Sequence, residues 1–198
     1  DQTAPLVKLS THSAAPSAVF TSNQSATTGT TTAADTVVDA SGNVYVVGNA
    51  TGNFGSQLNQ GSQDAYLTKY DSAGNVVWQK LLGSAGAANG SGLALDPATG
   101  GVVVSGASTA DLSTTSVANG NNDSFVASYD AQGNKTWIKQ IQTLATNQAK
   151  AGSGDASGKS ESGGSVSGGV IGAGQTSQGK GDAYLSKFDS KGNLISEN

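Results

Sequence analysis

The sequence predicts an all-β protein built from tandem four-stranded antiparallel sheets, and three patterns carry that prediction. The first is a repeat: Asp64, Asp123 and Asp182 open the phrases DAYLTKYDSAGN, DSFVASYDAQGN and DAYLSKFDSKGN, each 59 residues after the one before. A fixed period of that size marks stacked supersecondary units rather than one irregular core. The second is alternation. Tyr66, Thr68 and Tyr70 fall on one side of an extended chain and Ala65, Leu67 and Lys69 on the other, as the two-residue period of a strand requires. The third is punctuation. DASGN at 39–43, DSAGN at 71–75, DAQGN at 130–134 and DSKGN at 189–193 each place an Asp that can bond the backbone ahead of it and a Gly that can take the positive φ of a tight hairpin.

Taken in order, residues 6–63 read as a degenerate first unit. Moving the central unit back by 58 residues sets Leu9 on Leu67, Phe20 on Trp78 and Gly48 on Gly106, with Ala14, Ala15 and Pro16 across the turn. The rival reading of the start is a linker, which DQTAPL resembles. From Asp35 onward, TVVDASGNVYVVGNAT reads as third strand, turn and fourth strand.

Unit 64–122 is complete: AYLTKY, a turn, NVVWQKLL, a Gly/Ser/Ala/Asn loop, GLALD, a turn from Asp96 to Gly101, and a last strand from Val102 to Gly106. Unit 123–181 opens with SFVASY and NKTWIKQI. Setting Gly168 on Gly42 and Gly174 on Gly48 then makes Val170–Gly174 its fourth strand and Ser160–Ser162 its third. The Gly/Ser-rich tract 147–164 is expected to be a mobile loop or frayed edge, with a weak strand as the alternative. Residues 182–198 supply a first strand and part of a second, with Ser196 where a Trp would stand. Residues 1–198 therefore form a single repeat region of three units and part of a fourth. Each unit is expected to make one sheet of its own, and no stretch has helical periodicity.

Tandem sheets of this kind suit the radial packing of a β-propeller, in which each blade covers its neighbours. The order D-A-Y-L-x-K-Y-D-x-x-G-N-x-x-W, then L-A-L-D, then V-Y-V-V-G-N-A-T, resembles the bacterial SBBP (seven-bladed β-propeller) repeat over roughly residues 36–193. That resemblance implies a propeller, usually within large secreted or surface-attached bacterial proteins. It implies no common reaction and no shared catalytic residues.

Composition narrows the chemistry. Charged residues are 12%, below the usual quarter, and among the fourteen acids only Glu161 and Glu197 are not Asp, as a turn-rich chain prefers. Cys is absent, which removes disulfides and thiolate metal sites. The absence of Met predicts that the chain either lost its N-terminus by processing or was cut from a longer polypeptide. No apolar run reaches membrane-spanning length, and a net charge of −4 with scattered Lys does not offer the basic stripe that nucleic acid needs.

No catalytic, cofactor-binding or metal-ligating residue is nominated. The Asp-x-x-Gly-Asn turns could contribute to Ca²⁺ binding, but each brings one carboxylate and reads first as a hairpin turn; a site assembled from Asn119 to Asp123 is the alternative. For His12, the sole histidine, no nucleophile or orienting carboxylate can be named, and it reads as a surface or strand-packing residue. Trp78 and Trp137 would stack on sugars if exposed, yet their equivalent places in successive units point to packing between blades. The glycine runs 83–92 and 152–169 lack a phosphate-binding context.

The expected function is a non-catalytic structural or binding propeller of a larger exported or cell-surface bacterial protein, periplasmic as a variant, with a protein or glycan partner. Alternatives are self-association through open strand edges and a regulatory or motility-linked propeller. An enzyme is the least expected.

Overall fold

Strand-forming alternation and hairpin turns dominate the molecule. The structure, a computed structural model, describes residues 4–9, 18–24, 28–113, 121–141, 146–155, 157–167, 170–171, 175–176 and 181–197. Among these, every regular element is a strand. They are β1 (Ala4–Leu9), β2 (Ala18–Gln24), β3 (Thr31–Val38), β4 (Val44–Ala50), β5 (Asp64–Tyr70), β6 (Val76–Leu82), β7 (Ala88–Asp96) and β8 (Gly101–Ser108), followed by β9 (Asp123–Tyr129), β10 (Lys135–Ile141), β11 (Asn147–Gly154), β12 (Ser160–Val166), β13 (Val170–Ile171), β14 (Gln175–Thr176), β15 (Asp182–Phe188) and β16 (Leu194–Glu197).

Three four-stranded antiparallel sheets result, in the orders β3-β4-β5-β6, β7-β8-β9-β10 and β11-β12-β15-β16; none closes on itself. β1 pairs with β2, and β13 with β14, as two-stranded sheets.

The expectation of one sheet per sequence unit is corrected here. Each sheet takes the last two strands of one unit and the first two of the next, so β7 and β8 pair onward to β9 rather than back to β6. The structural repeat is therefore half a unit out of phase with the phrase that begins at Asp64. The exchange ties consecutive units together, because unit 64–122 gives β5 and β6 to one sheet and β7 and β8 to the next.

The third sheet brings a second correction. Residues 147–154 and 160–166 are strands, so the strand alternative holds in place of the mobile loop or frayed edge, and they are joined by a turn at Asp155 in which Gly158 has φ +76°. Its hydrogen bonds, Asp155 N to Lys159 O and Gly158 N to Asp155 O, repeat those at Asp39, Asp71, Asp130 and Asp189. The counterparts of Gly42 and Gly48 are thus Gly158 and Gly164. Gly168 and Gly174 lie outside the described residues, and Val170 and Ile171 pair with Gln175 and Thr176 instead of serving as a fourth sheet strand. The signal was present: DASGK at 155–159 copies DASGN at 39–43 with Lys in place of the last Asn. In the stretch read as a degenerate first unit, β2 lies 58 residues before β6 and pairs antiparallel with β1.

Packing follows the pleat. On the first sheet, Tyr45, Val47, Ala65 and Leu67 face the second sheet, where they join Leu93, Val102, Val104, Phe125, Ala127 and Tyr129 in one buried cluster. The opposite side of the first sheet buries Val44, Val46, Tyr66 and Tyr70 with Phe54, whose ring stacks on Tyr66 at 4.6 Å. The second and third sheets meet through Val103, Val126 and Phe188. Ser105, Ser124, Ser128, Ser160, Ser162 and Ser186 are buried as well, so this interface is far more polar.

Candidate binding pocket at the converging strand edges

One edge strand of each sheet carries a β-bulge at the same place. The ladder skips Ala34 between Ala33 and Asp35 in β3, Ser91 between Gly90 and Gly92 in β7, and Lys150 between Ala149 and Ala151 in β11. An extra residue of this kind kinks the strand and turns its side chain out of the ladder. The facing strand must yield to the displaced backbone. A Cβ on Gly48 would lie 2.0 Å from Thr32 O, on Gly106 2.0 Å from Asn89 O, and on Gly164 2.0 Å from Gln148 O. Only glycine fits there, and a glycine inside a strand is the sequence mark of such an approach.

Because β3, β7 and β11 approach one another, their bulges open onto a common pocket of about 440 Å³. Ala34, Ser91 and Lys150 line it together with Asn49, Asn89, Asn122 and Gln148, over a floor that includes Ala107 and Ala149. Hydrogen bonds fix several of these groups. Gly90 N donates to Asn49 Oδ1 at 2.9 Å, Gln63 Nε2 donates to Asn89 Oδ1, and Lys150 Nζ donates to Gln148 Oε1 at 2.8 Å. Just behind the pocket, Leu93 N donates to Asp35 Oδ2 at 2.9 Å, tying the second sheet to the first. The bulge residues were not singled out by sequence reasoning; glycines 48, 106 and 164 were the available signal.

No family model matches the chain. In an alignment 183 positions long that covers 79% of the chain, it is 31% identical to a protein of Caulobacter vibrioides described as "Regulatory protein FlaEY". The match spans 18% of that protein.

The residues that the sequence singles out have structural partners. At Asp39, Oδ1 accepts from Ser41 N and Asn43 N, each at 2.9 Å, and Oδ2 accepts from Asn43 Nδ2 at 2.8 Å. Asp71, Asp130 and Asp189 repeat this arrangement with Asn75, Asn134 and Asn193. Their carboxylates are held below the ordinary range, first by the Asn side chain and then by backbone N–H groups. Both oxygens are thus spent on closing the hairpin. The Asn119–Asp123 alternative lies partly outside the described residues, and so does His12.

Asp64 and Asp123 are fully buried at the start of β5 and β9. Asp64 Oδ2 accepts from Gln60 N at 2.8 Å, while burial pushes its pKa up. Gly83, within the glycine run 83–92, is required beside it, since a Cβ there would come 1.8 Å from Asp64 Oδ1.

Trp78 and Trp137 pack between sheets. Trp78 Nε1 donates to Ala131 O, and Trp137 Nε1 to Ser190 O, each at 3.1 Å and each into the Asp turn of the following sheet. Gly133 and Gly192 of those turns lie under the indole rings, where a Cβ would come within 2.8 and 2.6 Å of the Cδ2 atoms. The glycine therefore answers two demands at once, a positive φ near 80° and room for the neighbouring Trp.

Proposed function

We propose that this chain is a non-catalytic structural and binding module of a larger exported or cell-surface bacterial protein, with its sheets set as blades of an SBBP-type β-propeller. The observation that carries the binding reading is the pocket drawn from the same bulged position of three successive sheets. Among the described residues, hydrogen-bonding side chains line it without a His, Asp or Glu to activate Ser91, which supports recognition rather than turnover. The propeller reading draws on the repeated contact of each Trp with the next sheet's turn, a nearest-neighbour joint that suits radial stacking.

Ala34 is exposed, so Ala34→Trp fills the pocket without disturbing a core. Saturation-transfer NMR of the chain against a mixed panel of sugars and short peptides is expected to detect a bound component that Ala34→Trp no longer holds. Absence of any bound component, or binding indifferent to the variant, would sink the binding reading. An electron-microscopy map of the parent protein should show sheets around an axis; a straight stack would overturn the propeller.

A second reading, a regulatory role linked to motility, is favoured by the match to the Caulobacter vibrioides regulatory protein. Deleting this segment from its parent in the bacterial host should then impair swimming. Normal swimming would count against it.

A further inference from the structure

We infer that the bulge-lined pocket takes a small polyhydroxylated carboxylate, an acidic sugar. This deepens the binding reading and rests on it. The charge in the pocket runs against that of the protein: the chain carries −4 overall, yet among the described residues Lys150 is the one charged group lining the pocket. Its Nζ gives one proton to Gln148 Oε1 and keeps two for a ligand. A single ammonium suits a monoanion; a charge-assisted bond to carboxylate is shorter and stronger than a neutral one. With no carboxylate among the described lining residues, these offer a divalent cation no hard anionic ligand.

The neutral groups point to hydroxyls. Asn49 and Asn89 have their oxygens engaged by Gly90 N and Gln63 Nε2, which fixes the carboxamides and leaves their N–H groups without protein acceptors among the described residues. Asn122 Oδ1 is the complement: a buried acceptor with no partner among the described residues. A ligand hydroxyl both accepts and donates, so a sugar can answer all three, and leaving a buried acceptor unmet is costly. Among the described residues, apolar contact is limited to the methyls of Ala34, Ala107 and Ala149, which offer little to hold an aliphatic or aromatic side chain of a peptide. A volume of about 440 Å³ falls within the range of small-molecule sites.

The test titrates the full chain with D-glucuronate, D-glucose and N-acetyl-L-aspartate, followed by NMR amide shifts and calorimetry. D-Glucuronate should bind about tenfold more tightly than either of the others, through one charge-assisted contact added to shared hydroxyl contacts. Its shifts should centre on Ala34, Ser91 and Lys150. Lys150→Gln, at an exposed position, should reduce D-glucuronate to the affinity of D-glucose, and Ala34→Trp should abolish both. Equal binding of the two sugars, or an acid preference that survives Lys150→Gln, overturns the acidic assignment while the binding reading stands. N-acetyl-L-aspartate binding as well as D-glucuronate overturns the sugar assignment. Binding of none of the three probes overturns this inference; the binding reading falls as well only if the wider panel also yields nothing that Ala34→Trp displaces.

Discussion

The forward faces of the first and third sheets occupy the same strand positions and are built to opposite ends. On the first sheet one row across the strands is Tyr45, Lys69 and Trp78; on the third the same row is Glu161, Lys187 and Ser196. In the first row the Lys69 ammonium sits 5.0 Å from the Tyr45 ring centroid and reaches Ala131 O of the next sheet at 3.4 Å. In the third, Lys187 turns to Glu161 at 2.7 Å, with both side chains about one-third exposed. Val47 is matched by Gly163, and Leu67, buried against the second sheet, by Leu185, which is 44% exposed. The second sheet lies between these extremes, with Val103, Ser128 and Trp137 in that row. The same strand scaffold thus carries a graded surface, from an interlocking apolar face to one that tolerates water.

The largest expected effect breaks the joint that only the first two sheets possess. Trp78→Ala should cost about 3–5 kcal/mol, as loss of a packed aromatic does, whereas Ser196→Ala should stay within about 0.5 kcal/mol. Denaturant midpoints compare them directly, and similar values would erase the distinction between the faces. Next comes Gly133→Val, which should cost about 1–3 kcal/mol for the strained φ alone, plus the clash with Trp78. In the double variant with Trp78→Ala the clash is gone, so the summed cost should fall short of the two single costs. Strict additivity would mean that the ring and the turn do not meet.

Acid should weaken the turns by a smaller amount. Asp71, Asp130 and Asp189 have folded pKa values below the unfolded one, so their stabilisation is present above about pH 4 and is lost as pH falls through the lowered folded values. Asp64 acts in the opposite sense, since burial raises its pKa and protonation relieves it. Asp155 of the third sheet is also lowered, but chiefly by Ser157 rather than an Asn amide. Replacing Asn75, Asn134 and Asn193 with Ala should therefore flatten the acid limb of a stability–pH curve while leaving the Asp155 turn in place. An unchanged limb would show that the amides do not hold these carboxylates. The smallest effect is expected at the exposed pair: Glu161→Gln should change the midpoint by no more than about 1 kcal/mol, and a larger loss would mean that this face is covered.

Much of this was legible along the chain, because it is local. A two-residue period shows which residues of AYLTKY share a side, and an Asp-x-x-Gly-Asn phrase carries its own hydrogen bonds. Equivalent Trp positions announced the joint between sheets, although the carbonyls of Ala131 and Ser190 that receive them could not be read from spacing. The third sheet was misjudged because Ala, Gly and Ser along β11 and β12 carry little strand propensity of their own. Pairing with β15 and burial of Ser160 and Ser162 against the second sheet supply what the residues lack.

Outside β11 to β14, the sequence by itself determined most of the strands, their hairpin turns and the 59-residue period, all of which depend on patterns local to the chain. Tertiary structure alone decided which strands share a sheet, since β8 can pair forward to β9 or leave its hairpin closed, and only long-range packing chooses. It also decided the pocket. Ala34, Ser91 and Lys150 have nothing in common as side chains; what unites them is a backbone displaced against Gly48, Gly106 and Gly164 when three strand edges converge.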